Sequence, residues 1–261
     1  WSSDSKPKIE IKEHLRHMKL FLKFYKKNTD TTIFHSYKIF LSESNHYTIG
    51  SLLYIDHEFY PSGLNQLYKS DIKLDRNKYL LWEGYKDLYN ESFLKFIEMM
   101  DVEVSLKIVN HPVQYNPRWI ELKDGMYGND GSKYKVEEDF SILNLKPILN
   151  SKNIDLTKLL WLKMNSLDPK YYTAKYTINS KYQIRKVPSF LLQELSPSNW
   201  IPDINLNFCC PSVISYDTLH NDLKLDSNDN TWLDLIGFGK NVKLKSEEKA
   251  EKIKSLKELG F

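Results

Sequence analysis

The stretch NWIPDINLNFCCPSVISYD, residues Asn199–Asp217, decides the predicted fold of this chain. A short apolar run begins at Trp200 and is halted by Pro202, and a polar turn is centred on Asn205. A second apolar run, Phe208–Cys210, ends at a Pro-Ser break. Two short apolar runs on either side of a polar turn are typical of a β-hairpin, so we predict one here.

A second stretch of the chain has the same order of features, IFLSESNHYTIGSLLYID at Ile39–Asp56. When Phe40 is aligned with Trp200 and Asp56 with Asp217, the later copy requires one inserted residue. This alignment predicts that Phe40 and Trp200 are equivalent anchors of two small cores. Asp56 and Asp217 close the two hairpins, and we expect them to cap the turn or helix that follows, because a duplicated active site would be unusual.

The similarity continues beyond the hairpins. FIEMMDV at Phe96–Val102 matches WLDLIGF at Trp232–Phe238, and each segment has the pattern of a helix end. VSLK at Val104–Lys107 follows the first segment and VKLK at Val242–Lys245 follows the second, and Trp232 is a further predicted anchor. Two matched blocks in the same order indicate an internal duplication. We therefore predict an α+β chain of two related helix–β-hairpin–helix–strand modules.

Composition divides the chain into three predicted segments. The first module covers residues 8–110 and the second covers residues 151–261. Pro, Asn, Gly and Asp are frequent from residue 111 to 131, so residues 111–150 are expected to form an irregular linker or insertion. Apolar periodicity predicts helices at 9–25, 65–68, 78–89, 91–100, 140–149, 155–167, 187–195, 231–236 and 246–259, and further strands at 102–109, 171–178 and 242–244.

Composition and charge argue against several classes of protein. The 261 residues carry 37 basic and 34 acidic side chains, and a net charge of +3 is too small to indicate nucleic-acid binding by bulk charge. Cys209 and Cys210 are the two cysteines, and consecutive cysteines rarely form a disulfide, so we expect buried hairpin residues in a reducing, cytoplasmic setting. No apolar run approaches the roughly 18 residues of a membrane span. The chain begins with Trp1 rather than Met, which is compatible with a processed protein, but we favour an internal piece of a longer polypeptide.

These residues resemble a known family. The order WIPDINLNFCCPSVISYD followed by WLDLIGFG is similar to the "W-L-P … G-x-F … P … W-L … L-G-F-G" segment of large sacsin-like proteins that bear a GHKL-type ATPase domain. Leu53–Asp56 with Ser62–Leu64 resembles their "LYLD … TGL" segment. Three further segments keep the family's order between these two: Leu160-Trp161, Tyr171–Tyr176 and Val187–Leu191. The resemblance covers most of the chain, from residue 9 to residue 261.

The resemblance implies that this chain belongs to a long non-catalytic region that follows the ATPase domain. ATP and Mg²⁺ are then expected in the parent protein and no cofactor in this chain. Its glycine cluster, Asp124–Gly131, has the wrong spacing for the adenine-binding motif of such ATPases. Bacterial members, as the resemblance implies, are often linked to defence against foreign DNA and can end in a nuclease-like domain. Asn207 departs from the family, which has a turn glycine there, and Ser62 stands where Thr is common.

Asp101, Glu121 and Lys123 form the enzymatic alternative. They imitate the Asp … Glu-x-Lys set of restriction-type nucleases, in which two carboxylates hold Mg²⁺ and a lysine steadies the attacking water. The ordinary interpretation of Asp101 is a residue at a helix end, and we favour it.

A third hypothesis is contact with nucleic acid. Lys23, Lys26 and Lys27 lie in the basic run KFYKK and are able to contact phosphates. His14 and His17 lie one turn apart on the same predicted helix, and we expect both to be surface histidines rather than metal ligands.

The function predicted from the sequence is non-catalytic: a structural or coupling region of a sacsin-like ATPase that contacts neighbouring domains and a protein partner or client. We expect no catalytic residue and no metal site in this chain, and no membrane partner.

Overall fold

The computed structural model describes residues 10–27, 34–111, 134–178, 183–224, 231–243, 246–247 and 251. The chain divides into two compact units between Lys107 and Ile108. Helices combine with small sheets of two or three strands, which confirms the predicted α+β class.

The first unit is built from helices, short strands and 3-10 turns. Its described elements are α1 (Ile11–Lys27), β1 (Phe40–Leu41), β2 (Tyr47–Thr48), β3 (Leu53–Tyr54), α2 (Asn65–Tyr68), β4 (Tyr79–Leu80) and α3 (Glu91–Met99), with 3-10 turns at Gly50–Leu52 and Glu83–Leu88. Strand β1 pairs with β2 antiparallel, and β3 pairs with β4 parallel.

The core of the first unit lies between α1, α3 and these strands. Helix α3 begins after Asn90, whose side chain accepts a hydrogen bond from the N–H of Phe93 at 3.0 Å. Residues three and four apart share one helix face, so Phe93, Phe96 and Ile97 are buried together. They belong to an apolar cluster with Met18, Ile39, Phe40, Leu41, Leu53, Ile55, Leu81, Tyr85, Leu88, Met100 and Val102.

The second unit contains more strands. Its described elements are β5 (Ile108–Asn110), β6 (Tyr134–Glu138), β7 (Phe140–Ile142), α4 (Leu145–Asn150), α5 (Ile154–Asn165), β8 (Thr173–Ile178), β9 (Gln183–Pro188), α6 (Phe190–Leu195), β10 (Ile201–Pro202), β11 (Phe208–Cys209) and α7 (Thr231–Leu235). Strand β8 is central in the antiparallel sheet β6-β8-β9, and β5 pairs antiparallel with β7.

Three tryptophans form the centre of the second core. Trp161 of α5 lies 5.0 Å from Trp232 and 6.1 Å from Trp200 between ring centroids. The indole N–H of Trp200 donates to the carbonyl of Leu195 at 3.0 Å, and that of Trp232 donates to Oδ1 of Asn165 at 2.8 Å. A tryptophan can be buried in this way because its polar edge is bonded.

The two hairpins share one hydrogen-bond register. The first paired residue is Phe40 in one hairpin and Ile201 in the other. Both turns place a left-handed residue at the same position, Asn45 with φ of 59° and Leu206 with φ of 63°. The differences 201 − 40 and 206 − 45 both equal 161.

The same shift of 161 residues holds to the end of each hairpin. The 3-10 turns that follow, Gly50–Leu52 and Pro211–Val213, keep it. Since 217 − 56 is also 161, Asp56 and Asp217 are equivalent without any inserted residue.

This register corrects the predicted anchor pair. Phe40 corresponds to Ile201, and Trp200 corresponds to Ile39, so the pairing of Phe40 with Trp200 is wrong by one residue. Sequence comparison matched two large aromatic side chains, whereas the ladder is set by backbone pairing. Phe40 and Trp200 are nevertheless both buried, at 0% and 1% exposed.

Beyond the hairpin the first unit carries an insertion. An antiparallel bridge joins Ser42 to Leu81 in the first unit and Asp203 to Leu219 in the second. The separations are 81 − 42 = 39 and 219 − 203 = 16 residues, so the first unit has 39 − 16 = 23 extra residues. This segment contains α2.

The helix ends agree with the predicted match of residues 96–102 with 232–238. The N–H of Val102 donates to the carbonyl of Ile97, and that of Phe238 donates to the carbonyl of Leu233. The residue before each is left-handed: Asp101 has φ of 65° and Gly237 has φ of 77°. One turn geometry therefore ends both helices.

Several predicted elements are corrected. Strand β4 and the 3-10 turn at 83–88 replace the helix at 78–89, and the strand at 102–109 is reduced to β5. Strand β7 replaces the start of the helix at 140–149, β9 replaces the start of the helix at 187–195, and residues 240–243 are helical where a strand was expected. Short apolar runs are ambiguous in sequence because a distant partner decides whether they form a strand.

The expected irregular linker at 111–150 is also corrected over its described part. Residues 134–150 contain β6, β7 and α4. Strand β7 pairs with β5, and all three of its residues are buried. Residues 112–133 lie outside the described part of the chain.

Within the described residues, the structure has no helix of the length and apolarity that crossing a membrane requires.

Candidate interaction surface

The outer face of α1 carries apolar side chains that the core does not cover. Leu20 is 53% exposed and Phe24 is 42% exposed. Together with His17, Phe21 and Phe34 they line a groove of about 430 Å³. The ring of Phe34 meets those of Phe21 and Phe24 edge to face, each at 5.6 Å between centroids. The volume of the groove lies within the range of typical ligand pockets, roughly 300–1,000 Å³.

Helix geometry explains why α1 has two apolar faces. Leu20 and Phe24 are four residues apart and form one ridge. His14 and Met18 are also four residues apart, and both are buried on the face that meets the core. The ridge of Leu20 and Phe24 therefore lies on a different face of α1 from the buried residues His14 and Met18.

A basic stripe runs beside the groove. Lys12, Lys19 and Lys23 are exposed, and the spacing of residues 12, 16, 19 and 23 places them on one helix face. Arg16 of this stripe pairs with Glu13 at 2.5 Å between Nη2 and Oε1. The structure shows no ion pair between the three lysines and any residue that it describes.

The structure describes only one of the three predicted phosphate-contact side chains. Lys23 is exposed, whereas the side chains of Lys26 and Lys27 lie outside the described part of the chain. Sequence reasoning selected a contiguous basic run and missed Lys12 and Lys19, although their helical spacing was the available signal.

Asp101 has a structural setting. Its Oδ2 accepts a hydrogen bond from Nδ1 of His35 at 3.0 Å, and its Oδ1 accepts one from Nζ of Lys107 at 3.0 Å. Burial raises the pKa of Asp101. The two hydrogen bonds and the positive charges of their donors lower it by more, so the pKa of Asp101 is below its usual range. Glu121 and Lys123 lie outside the described residues.

Asp56 and Asp217 occupy equivalent positions with different surroundings. The carboxylate of Asp56 accepts backbone N–H groups from Gly63 at 3.1 Å and Asn65 at 2.6 Å. Both donors belong to the 23-residue segment that the second unit lacks. Asp217 is exposed. Asp56 therefore attaches the insertion to the hairpin.

A buried ion pair that sequence reasoning missed attaches the other end of the insertion. Nζ of Lys78 lies 2.8 Å from Oε2 of Glu103, and these side chains are 4% and 1% exposed. The hydroxyl of Tyr68 donates to the same oxygen at 2.9 Å. No short sequence pattern joins residues 68, 78 and 103, because only the fold brings them together.

His14 is buried, which corrects the expected surface histidine. It is 1% exposed, and its Nε2 lies 2.5 Å from the hydroxyl of Tyr85. That hydroxyl also accepts the N–H of Leu41 at 2.9 Å. Burial, with a smaller contribution from His17, lowers the pKa of His14 to about 4, so its ring is neutral at pH 7.

The adjacent cysteines are half-buried. Burial is the largest cause that raises the pKa of Cys209. A raised pKa keeps the thiol protonated and weakly nucleophilic, which is the opposite of an activated catalytic cysteine.

Comparisons of the chain with protein-family models, with curated proteins and with solved structures found no match.

Proposed function

We propose that this chain is a non-catalytic structural and protein-interaction region of a large sacsin-like ATPase. In this proposal it couples nucleotide-driven changes in the parent protein to neighbouring domains and to a protein partner or client. ATP and Mg²⁺ act in the parent's ATPase domain, and the setting is the cytoplasm, in a defence system of bacterial type. The sequence resemblance described above is the basis for the family.

The shared backbone register of the two units is the observation that carries the non-catalytic assignment. Equivalent positions in the two hairpins keep their backbone geometry while their side chains change, as with Asn45 and Leu206. Three acidic groups that could do chemistry in the first unit, Asp56, Asp101 and Glu103, are bonded to the chain itself. A repeated scaffold whose acidic side chains are engaged by other groups of the same chain supports a structural role.

The purified chain, supplied with Mg²⁺, tests this assignment in assays of ATP hydrolysis and of double-stranded DNA cleavage. We expect neither rate to exceed that of a buffer control. DNA cleavage that is lost in Asp101→Asn and in Glu121→Gln would instead establish the nuclease alternative with Asp101, Glu121 and Lys123. The family is tested separately by the sequence of the full-length parent, in which we expect a GHKL-type ATPase domain on the N-terminal side.

Contact with nucleic acid is a second candidate, favoured by the basic stripe of Lys12, Lys19 and Lys23. Binding through phosphates weakens with salt, and each lost phosphate contact reduces the log–log slope by about 0.9. On this hypothesis Lys19→Gln/Lys23→Gln reduces the slope for duplex DNA by about 2. A slope that is the same in this variant and in the wild-type chain contradicts it.

A further inference from the structure

We infer that the groove of α1 binds an acidic amphipathic helix of a partner protein. The inference rests on the proposed interaction function and names its partner class. The groove supplies an apolar floor, formed by Leu20, Phe21, Phe24 and Phe34, and the stripe beside it supplies positive charge. An amphipathic helix that lays its apolar face into a groove is a recurring mode of peptide recognition.

The shape of the surface favours a helix over a small ligand. Leu20 and Phe24 form a ridge one helical turn long, and Phe34 closes one side of the groove by edge-to-face contacts with Phe21 and Phe24. Such a floor fits apolar side chains spaced three or four residues apart on a partner helix. Its lining is almost wholly apolar, so orientation has to come from the rim.

The rim charges determine the sign of the partner. Lys12, Lys19 and Lys23 are exposed and make no ion pair with a described residue, whereas Glu13 on the same helix already pairs with Arg16 and His17. A partner with acidic residues beside its apolar face would pair with the lysines. Complementary charge of this kind raises the association rate and selects against basic partners.

A membrane surface fits the same helix less well. Helices that lie on membranes expose a broad apolar face, whereas the main apolar face of α1 is buried in the core of the first unit. The exposed ridge of Leu20 and Phe24 is too narrow to insert as such a face.

The probe for this inference is a fluorescent, designed helix of about 16 residues, or roughly four turns. It has Leu or Phe at positions spaced three and four apart and Glu at the other positions. A second peptide has Lys in place of every Glu. Fluorescence anisotropy with the full chain is expected to show the acidic peptide binding at least about tenfold more tightly than the basic one, a difference of about 1.4 kcal/mol.

Matched variants locate the site. Leu20→Ser is expected to weaken binding of the acidic peptide by at least about tenfold, because it removes one of the two side chains that form the ridge. The double variant Lys19→Gln/Lys23→Gln is expected to weaken binding of the acidic peptide and to reduce the salt dependence of that binding. The controls are Leu162→Ser, which changes a leucine that is 46% exposed on α5, and Lys69→Gln/Lys86→Gln, which removes two exposed lysines elsewhere in the first unit. Neither control is expected to change binding by more than about twofold.

Three outcomes would overturn the inference: equal binding of the two peptides, unchanged binding by Leu20→Ser, or binding of anionic phosphatidylserine vesicles without binding of the acidic peptide. None of these outcomes bears on ATP hydrolysis or DNA cleavage, which test the non-catalytic assignment. The partner class and the proposed function can therefore fail separately.

Discussion

His14 and Tyr85 form a buried pair in the first unit, and this pair makes the stability of the unit depend on pH. The pKa of His14 falls from its ordinary value of 6.5 to about 4 in the folded chain because burial disfavours the imidazolium. Between these values the unfolded chain binds a proton that the folded chain does not. The contribution of His14 to stability is therefore complete above pH 6.5 and is lost as the pH falls toward 4.

We predict that urea denaturation shows this loss. Between pH 7 and pH 4, the free energy of unfolding is expected to fall by about 3 kcal/mol from His14 alone, since one pKa unit corresponds to about 1.4 kcal/mol. His14→Phe keeps an aromatic ring but cannot titrate, so its free energy of unfolding is expected to fall less over the same range. An identical pH dependence in the two chains would show that His14 is not the titrating group.

The two aspartates at the hairpin ends provide a second test at the level of single residues. Asp56→Ala leaves the N–H groups of Gly63 and Asn65 without their acceptor, and we expect it to lower the free energy of unfolding by about 1–3 kcal/mol. Asp217→Ala changes the equivalent but exposed residue and is expected to have an effect within about 0.5 kcal/mol. Equal losses in chemical denaturation would contradict the assignment of Asp56 as the attachment point of the insertion.

At the level of elements, one left-handed turn ends both α3 and α7, but with different residues. Gly237 adopts φ of 77° without strain, while Asp101 adopts φ of 65° with its side chain held by His35 and Lys107. In the second unit the left-handed conformation is adopted by glycine, which favours it. In the first unit the side-chain hydrogen bonds of Asp101 stabilise the same conformation.

We predict different effects for substitutions at these two positions. Gly237→Ala is expected to destabilise the chain by about 1 kcal/mol, because a Cβ there meets no atom within 4 Å and the effect is purely conformational. Gly237→Asn is the control and should be milder, since Asn tolerates the left-handed region. Asp101→Gly relieves backbone strain but loses two partly exposed ion pairs, so its net effect is expected within about 1 kcal/mol. Thermal or urea unfolding checks all three.

At the scale of the molecule, each of the two units has a buried core among its described residues. Phe96 lies in the core of the first unit, and Trp161 lies at the centre of the tryptophan core of the second. Each core buries large aromatic side chains, and truncation of such a side chain typically destabilises by about 3–5 kcal/mol.

We predict that the two cores respond separately to truncation. Phe96→Ala is expected to accelerate amide hydrogen exchange within residues 34–107, and Trp161→Ala within residues 134–243. Mass spectrometry of proteolytic fragments locates the change. If either variant accelerated exchange to the same extent in both regions, the two cores would be one cooperative unit.

Local patterns determined the long helices of this chain. Helices α1, α3 and α5 were predicted to within about two residues, because their apolar side chains recur every three or four residues. In the structure Asn90 and Asn153 cap two of them. The α+β class and the match of residues 96–102 with 232–238 also followed from local order. These features depend on neighbours within one or two helical turns, so the sequence alone was sufficient.

Tertiary structure decided everything that required a distant partner. The hairpin register is set by backbone pairing within each hairpin, which side-chain patterns do not specify. The 23-residue insertion and the burial of His14 depend on contacts across 39 and 71 residues, Ser42 to Leu81 and His14 to Tyr85. The same is true of β4, which forms a strand because β3 lies beside it. The Lys78–Glu103 pair and the groove closed by Phe34 exist only once separate elements meet. Matching Phe40 with Trp200 instead of Ile201 was a one-residue error, because similar side chains do not show which backbone groups are hydrogen-bonded.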